Sequence, residues 1–122
     1  MNDFIMVQSD TVHSINHLCY LVTDWAQQKG WNEDDPQDLT AKLSAIALMH
    51  SELSEVVEAI RRKEQPAMDD KCPELTGEAA ELADVLIRIF HYCGKRGIDL
   101  GEAVRIKHAF NCSRPYKHGK RI

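Results

Sequence analysis

The chain has 122 residues, of which 43% are hydrophobic and 28% charged, and its formal net charge is −4. This length and composition predict one globular domain and exclude a natively disordered chain. The negative charge argues against a stable nucleic-acid complex, and the uncharged runs are too short for a membrane span. With no signal-peptide pattern and four cysteines without a C-x-x-C pair, we expect free thiols and a cytoplasmic protein.

Apolar residues recur at helical spacing early in the chain and predict a first helix over about 11–28, which Gly30 ends. In the polar loop that follows, Asp35 is a candidate N-cap and Pro36 suits a first helical turn. The second predicted helix runs from there to about residue 63. Its predicted buried side consists of Leu39, Leu43, Ile46, Leu53, Val56 and Ile60.

The second half of the chain contains a polar connection and two further predicted helices. The connection covers about 65–73, and Thr76 is a candidate N-cap for a third helix that ends before Gly94. Asp99 then precedes a shorter fourth helix over about 100–110. The apolar face of the third helix is predicted to contain Leu82, Val85, Leu86, Ile89 and Phe90.

Four predicted helices and no predicted strand indicate an all-α fold, an antiparallel four-helix bundle in which residues 1–122 form a single domain. The second and third helices are apolar over an arc wider than four short helices can cover. We therefore expect an oligomer, either a homodimer or a tetramer. A basic tail begins at about residue 112, and from residue 105 onwards the chain carries basic residues but no acidic ones.

Two pairs of acidic residues, each three positions apart, lie in apolar helical stretches. Glu52 and Glu55 lie in ALMHSELSEVVEAIRR, and Glu81 and Asp84 lie in GEAAELADVLIRIF. Residues three apart share one helix face, and buried carboxylates are costly unless they are paired or bind a cation. One such pair is commonly just a solvated helix face. Two pairs flanked by core residues on adjacent helices favour a shared site.

A divalent cation would be the simplest way to offset the repulsion among four converging carboxylates. A ligand set made only of oxygen atoms favours a hard cation, Mg²⁺ or as a substitute Mn²⁺. A di-iron centre would need a glutamate three positions before a histidine, a spacing that the sequence lacks. The pattern therefore predicts a magnesium site between two helices.

The segments HSELSEVVEAIRR and ELADVLIRIFHYCGKRGIDL resemble the E-x-x-E and E-x-x-D motifs of MazG-like all-α nucleotide pyrophosphohydrolases. The tail KHAFNCSRPYKHGKRI is similar to the K-x-x-x-N-x-x-R pattern of the dCTP-pyrophosphatase-like branch. The resemblance covers about residues 11–120. It implies a MazG-like bundle that hydrolyses nucleoside triphosphates to the monophosphate and pyrophosphate, with nucleotide-pool house-cleaning as its role.

The resemblance also implies roles for individual residues. The implied metal ligands are Glu52, Glu55, Glu81 and Asp84. Glu55 is the candidate general base, and the triphosphate would be contacted by Lys107, Asn111 and Arg114. Without the family pattern, a surface lysine is the preferred explanation of Lys107 and a C-terminal cap that of Asn111.

Trp25 and Trp31 are the candidate surfaces on which a base could stack, and Trp31 is the stronger candidate because it follows Gly30 in a polar loop. Trp25 could equally belong to the core. Relatives that hydrolyse dCTP can carry a tyrosine one turn after the aspartate of E-x-x-D, whereas this chain has Arg88, so no base preference is inferred. The alternative functions are a non-catalytic nucleotide-binding module and a helical partner-binding protein.

Overall fold

Four α-helices make up most of the described chain. A computed structural model describes residues 3–31 and 35–119. The helices are α1 (Ser9–Gln28), α2 (Leu39–Arg61), α3 (Gly77–Arg96) and α4 (Leu100–Ser113), and a short 3₁₀ helix follows at Tyr116–Gly119. No strand occurs within these described residues, so the predicted all-α class is confirmed.

Side-chain caps explain where three of the helices begin. The hydroxyl of Thr76 accepts a hydrogen bond from the backbone N–H of Ala79 at 3.2 Å, as the sequence predicted. Asp99 accepts from the N–H of Glu102 at 3.1 Å at the start of α4. The prediction that Asp35 caps α2 is wrong, because Asp38 is the capping residue.

The end of α3 also differs from the prediction. The helix continues through Gly94 to Arg96 and ends at Gly97, which has the left-handed φ of +65°. Gly94 is needed for a close helix contact instead. A Cβ atom there would overlap the hydroxyl of Thr23 and lie 2.9 Å from the carbonyl oxygen of Cys19, so α1 and α3 approach closely at this position.

The helices pack through three contacts, α1 with α3, α2 with α3, and α1 with α4. Helices α2 and α3 are antiparallel, since Ala59 near the end of α2 faces Gly77 at the start of α3, whereas the earlier Glu52 bonds to the later Arg88. Helix α4 packs against the N-terminal half of α1, where Gly101 approaches the backbone of Val12 and donates its N–H to the side chain of Asn16 at 2.8 Å.

The buried side chains are small. Those described as buried and hydrophobic are Cys19, Ala26, Val56, Ala59, Ala80 and Cys93. Within the described chain, no large side chain is fully buried, and many leucine and isoleucine residues of α2 and α3 are exposed. None of the described helices combines the length and apolar character that crossing a membrane would need.

Candidate metal centre and adjoining groove

Helices α2 and α3 bring three acidic side chains together. One carboxylate oxygen from each of Glu52, Glu81 and Asp84 lies within 4.8 Å of the others, which is the only such group of metal-ligating side chains in the described part of the chain. Glu81 and Asp84 are three apart on α3 and so share the face that points toward α2. Glu52 and Glu81 are half-buried, and Asp84 is exposed.

Burial and mutual repulsion disturb these carboxyl groups. Loss of solvent raises the pKa of Glu81, and a hydrogen bond with Glu52 and the charge of Asp84 raise it further. Although Asp84 is exposed as a residue, partial loss of solvent around its carboxyl group raises its pKa, and the charge of Glu52 raises it further. Both shifts mean that negative charge is costly in this cluster, and a bound cation would remove that cost.

Arg88, one helical turn after Asp84, already provides some positive charge. Its Nε donates a hydrogen bond to Oε1 of Glu52 at 3.0 Å, and its terminal nitrogen Nη2 lies 3.0 Å from the same oxygen. The guanidinium also acts to lower the pKa of Asp84, although burial and Glu52 outweigh it. The sequence indicated Arg88 only as a departure from relatives, because its partner Glu52 is 36 residues away.

A fourth carboxylate approaches the cluster from the connection between α2 and α3. The charge of Asp69 contributes to the raised pKa values of both Glu81 and Asp84, which places it near them. Its Oδ2 accepts hydrogen bonds from the backbone N–H groups of Lys71 at 3.0 Å and Cys72 at 2.8 Å. Sequence reasoning missed Asp69, since it treated residues 65–73 only as a polar connection.

Glu55, the fourth predicted ligand, lies outside this group. Glu52 shares its side of α2 with the buried residues Val56 and Ala59, which are four and seven positions later. Glu55 is to one side of that face and is exposed. The structure therefore brings together three of the four predicted carboxylates, with Glu55 one turn along the same helix.

A groove of about 540 Å³ opens beside the cluster, and Glu52 and Asp84 form part of its wall. Its α2 wall consists of Ala41, Ser44, Ala45, Leu48 and Glu52. Its α3 wall consists of Asp84, Ile87, Arg88, His91, Tyr92 and Arg96. Along α3, the groove therefore passes from an acidic end to a basic one.

Both predicted stacking residues line this groove. Trp25 is 51% exposed and Trp31 is 68% exposed, so neither is a core residue of this chain. Trp31 is held by its backbone, because its N–H donates to the carbonyl oxygen of Ala26 at 2.8 Å after Gly30 takes a φ of +86°. The indole rings are thus available to a ligand within reach of the carboxylates.

The predicted phosphate-binding residues are elsewhere in this chain. Lys107, Asn111 and Arg114 are exposed on or just after α4 and are not among the described residues that line the groove. The Lys107 ammonium lies 4.9 Å and the Arg114 guanidinium 5.8 Å from the centre of the Phe110 ring. Asn111 lies within α4, and its carbonyl oxygen accepts the N–H of Arg114 at 3.2 Å.

No family model matches the chain, and no curated protein or solved structure is significantly similar to it. The interpretation of the site therefore depends on its own chemistry and on the motifs quoted above. Three features carry that interpretation: an all-oxygen cluster, a groove that begins at it, and two indole rings on the groove wall.

Proposed function

We propose that the protein is a Mg²⁺-dependent pyrophosphohydrolase of nucleoside triphosphates, which releases the monophosphate and pyrophosphate. The observation that carries this proposal is the position of the acidic cluster, Glu52, Glu81 and Asp84, at one side of a groove that also exposes two tryptophans. A nucleotide needs both features. A cation held by the carboxylates would supply the positive charge that its phosphates require, and the indole rings would supply an apolar surface for its base.

The donor set fits a hard divalent cation. Glu52, Glu81 and Asp84 offer only carboxylate oxygens, which suits Mg²⁺ and its substitute Mn²⁺. The raised pKa values of Glu81 and Asp84 mean that their ionised forms are destabilised, and a bound cation would offset this destabilisation. When bound, Mg²⁺ neutralises phosphate charge and makes a coordinated water more acidic.

Glu55 is our candidate general base. It is a carboxylate outside the group of three, so it can accept a proton without giving up a metal contact. Its exposure on α2, one turn after Glu52, leaves its oxygens accessible to water. A base must reach the water whose proton it removes, so this role requires the Glu55 carboxylate to approach a water held at Glu52, Glu81 and Asp84.

The groove has the size and lining for the nucleoside. A volume of about 540 Å³ is within the range of small-molecule sites, which are mostly apolar with a few polar groups. Trp31 and Trp25 offer flat rings on which a base can stack, and the strength of such stacking differs from base to base. Ala41, Ser44 and Ala45 on the α2 wall are small and leave room in the groove.

We also propose that the active form is a homodimer or tetramer. On α2, Ile46, Leu53, Val57 and Ile60 follow helical spacing and are all exposed in the single chain. A second copy would cover such a face, and it could also bring a neighbouring α4 to this groove. In that arrangement Lys107, Asn111 and Arg114 would contact the triphosphate bound by another copy.

The reaction products test the proposal directly. The purified protein is incubated with each ribo- and deoxynucleoside triphosphate and Mg²⁺, and monophosphate and pyrophosphate are both quantified. We expect them in equal amounts, with no activity after chelation of the metal. Orthophosphate release would indicate a different phosphatase chemistry. Saturable nucleotide binding without products would favour the non-catalytic binding module.

The proposed activity fits a role in clearing unwanted nucleotides from the cytoplasmic pool. All four cysteines are free thiols, as expected in a reducing compartment. The base that the protein prefers follows from the same screen of nucleotides.

A further inference from the structure

The ion pair between Arg88 and Glu52 lies at the point where the metal would bind. Two nitrogens of the guanidinium approach the same carboxylate oxygen, with Nε–Oε1 and Nη2–Oε1 distances of 3.0 Å. The Glu52 side chain is 18% exposed and that of Arg88 is 39% exposed. This pair is therefore less screened by water than an ordinary surface salt bridge.

The same oxygen cannot serve both partners equally well. Oε1 of Glu52 accepts two N–H groups in the structure, and a cation on that oxygen would lie a few ångströms from a fixed positive charge. Like charges at such a distance repel strongly at a partly buried site. A divalent cation that takes Oε1 of Glu52 as its ligand therefore competes with the guanidinium.

Once released from Glu52, the Arg88 side chain would still line the groove. Arg88 is half-buried and lines the groove, between the acidic end of the α3 wall and Tyr92 one turn later. A guanidinium can donate two parallel hydrogen bonds to a phosphate group. A phosphate chain held at the cluster would thus lie beside the Arg88 guanidinium, which would no longer be bonded to Glu52.

We propose that Arg88 is an exchangeable counter-ion: it holds Glu52 in the metal-free protein, is displaced by the divalent cation, and then binds the phosphate chain of the substrate. This inference rests on the proposed function, because it assumes a cation at Glu52, Glu81 and Asp84. It adds a phosphate-binding residue within the groove and a competition that weakens metal binding until the phosphates arrive.

The first test measures the affinity for Mn²⁺ by titration calorimetry without nucleotide. Arg88→Gln should bind Mn²⁺ about tenfold more tightly than the wild type, because a positive charge close to the ion is removed. The control is Arg105→Gln, which breaks the Arg105–Glu102 pair on α4 outside the groove. This control should leave the Mn²⁺ affinity unchanged.

The second test uses inorganic tripolyphosphate as the probe, with Mn²⁺ at saturation. Arg88→Gln should now weaken binding by about tenfold, as expected for a lost charge-assisted hydrogen bond. The two effects have opposite signs, so simple damage to the site would not produce them, since damage weakens both ligands. Unchanged tripolyphosphate affinity would overturn the phosphate-binding role.

A measurement on the wild type covers the case in which Arg88→Gln does not fold. The side-chain Nε–H resonance of Arg88, assigned by its loss in Arg88→Lys, should shift when Mg²⁺ is added, because its bond to Glu52 breaks. A resonance that stays in place while Mg²⁺ binds saturably would overturn the displacement and leave the proposed function intact. Absence of saturable Mn²⁺ or Mg²⁺ binding would overturn both proposals.

Discussion

Glu81 and Glu52 bring a carboxylate oxygen from each of two helices to within 4.8 Å of one another, and burial together with the interaction with Glu52 raises the pKa of Glu81 above its ordinary value of 4.5. The folded protein therefore favours the protonated form of Glu81. A group whose pKa is raised on folding stabilises the protein at low pH and loses that contribution as the pH rises through its folded-state pKa.

We accordingly expect Glu81 and Asp84 to destabilise the metal-free protein as the pH rises above their ordinary range, whereas Asp99 and Glu102, whose pKa values are lowered by hydrogen bonds with Asn16 and Arg105, contribute in the opposite direction. Glu81→Gln imitates the protonated form, so this variant should melt higher than the wild type at neutral pH and show a weaker pH dependence. The measurement is thermal unfolding in a chelator from about pH 4 to about pH 8. A melting-temperature difference between Glu81→Gln and the wild type that does not grow with pH would contradict the prediction.

Added Mg²⁺ or Mn²⁺ should raise the melting temperature of the wild type, because the ion binds the folded state preferentially. Asp84→Asn should lose this response and all turnover while keeping its helical content. Far-ultraviolet circular dichroism checks the fold, and calorimetry checks the binding. Normal metal-dependent activity in Asp84→Asn would remove that residue from the ligand set.

Glu55→Gln tests whether Glu55 acts as the general base or as a metal ligand. Since Glu55 lies outside the group of three, this variant should lose turnover but retain most of its affinity for Mn²⁺. Glu58→Gln is the matched control, because Glu58 is exposed on the same helix and pairs only weakly with Arg61 at 3.8 Å. Equal activity in both variants would show that Glu55 is not the base.

Removing a contact with the base and removing a contact with the phosphates should have different effects on kcat/KM across a panel of deoxynucleoside triphosphates. Trp31→Ala should change the order of the substrates, since stacking is worth about 1–3 kcal/mol per base and depends on the ring. Lys107→Ala and Arg114→Ala should weaken all substrates alike, by about 1.5–3 kcal/mol in kcat/KM. A uniform loss for Trp31→Ala together with a reordered panel for Lys107→Ala would reverse these roles.

Association is tested on the exposed apolar stripe of α2. Val57 is 50% exposed in the single chain, so Val57→Glu would cost little in a monomer but would place a charge within a dimer interface. We expect the wild type to sediment as a dimer or tetramer at micromolar concentration and Val57→Glu to dissociate. The control is Ile5→Glu, which makes the same change at a position that is 88% exposed in the N-terminal segment and should leave the association unchanged. A wild type that stays monomeric would contradict the prediction.

Much of the fold follows from local chemistry, which the sequence displays directly. Thr76 begins α3 because its hydroxyl reaches an N–H three residues later, and Glu81 faces the same way as Asp84 because of helical spacing. The end of α3 was predicted wrongly because Gly94 is a contact glycine. That role depends on α1, a partner distant in sequence.

The site was predictable only where one helix determines the geometry. Which side of α2 faces α3 is set by Val56 and Ala59, and this places Glu52 in the cluster and Glu55 outside it. The bond between Arg88 and Glu52 depends on the register of two antiparallel helices. Asp69 depends on the path of a connection that has no periodicity, so no sequence pattern could reveal it.

The acidic cluster joins the α2 and α3 walls of the groove, since Glu52 belongs to α2 and Asp84 to α3. An ion coordinated by both residues would crosslink α2 and α3 and fix the distance between these walls for as long as it is bound. The spacing opposite the tryptophan rings would then depend on whether the ion is bound. Metal and nucleoside would consequently be linked thermodynamically, and each would strengthen the binding of the other by the same factor.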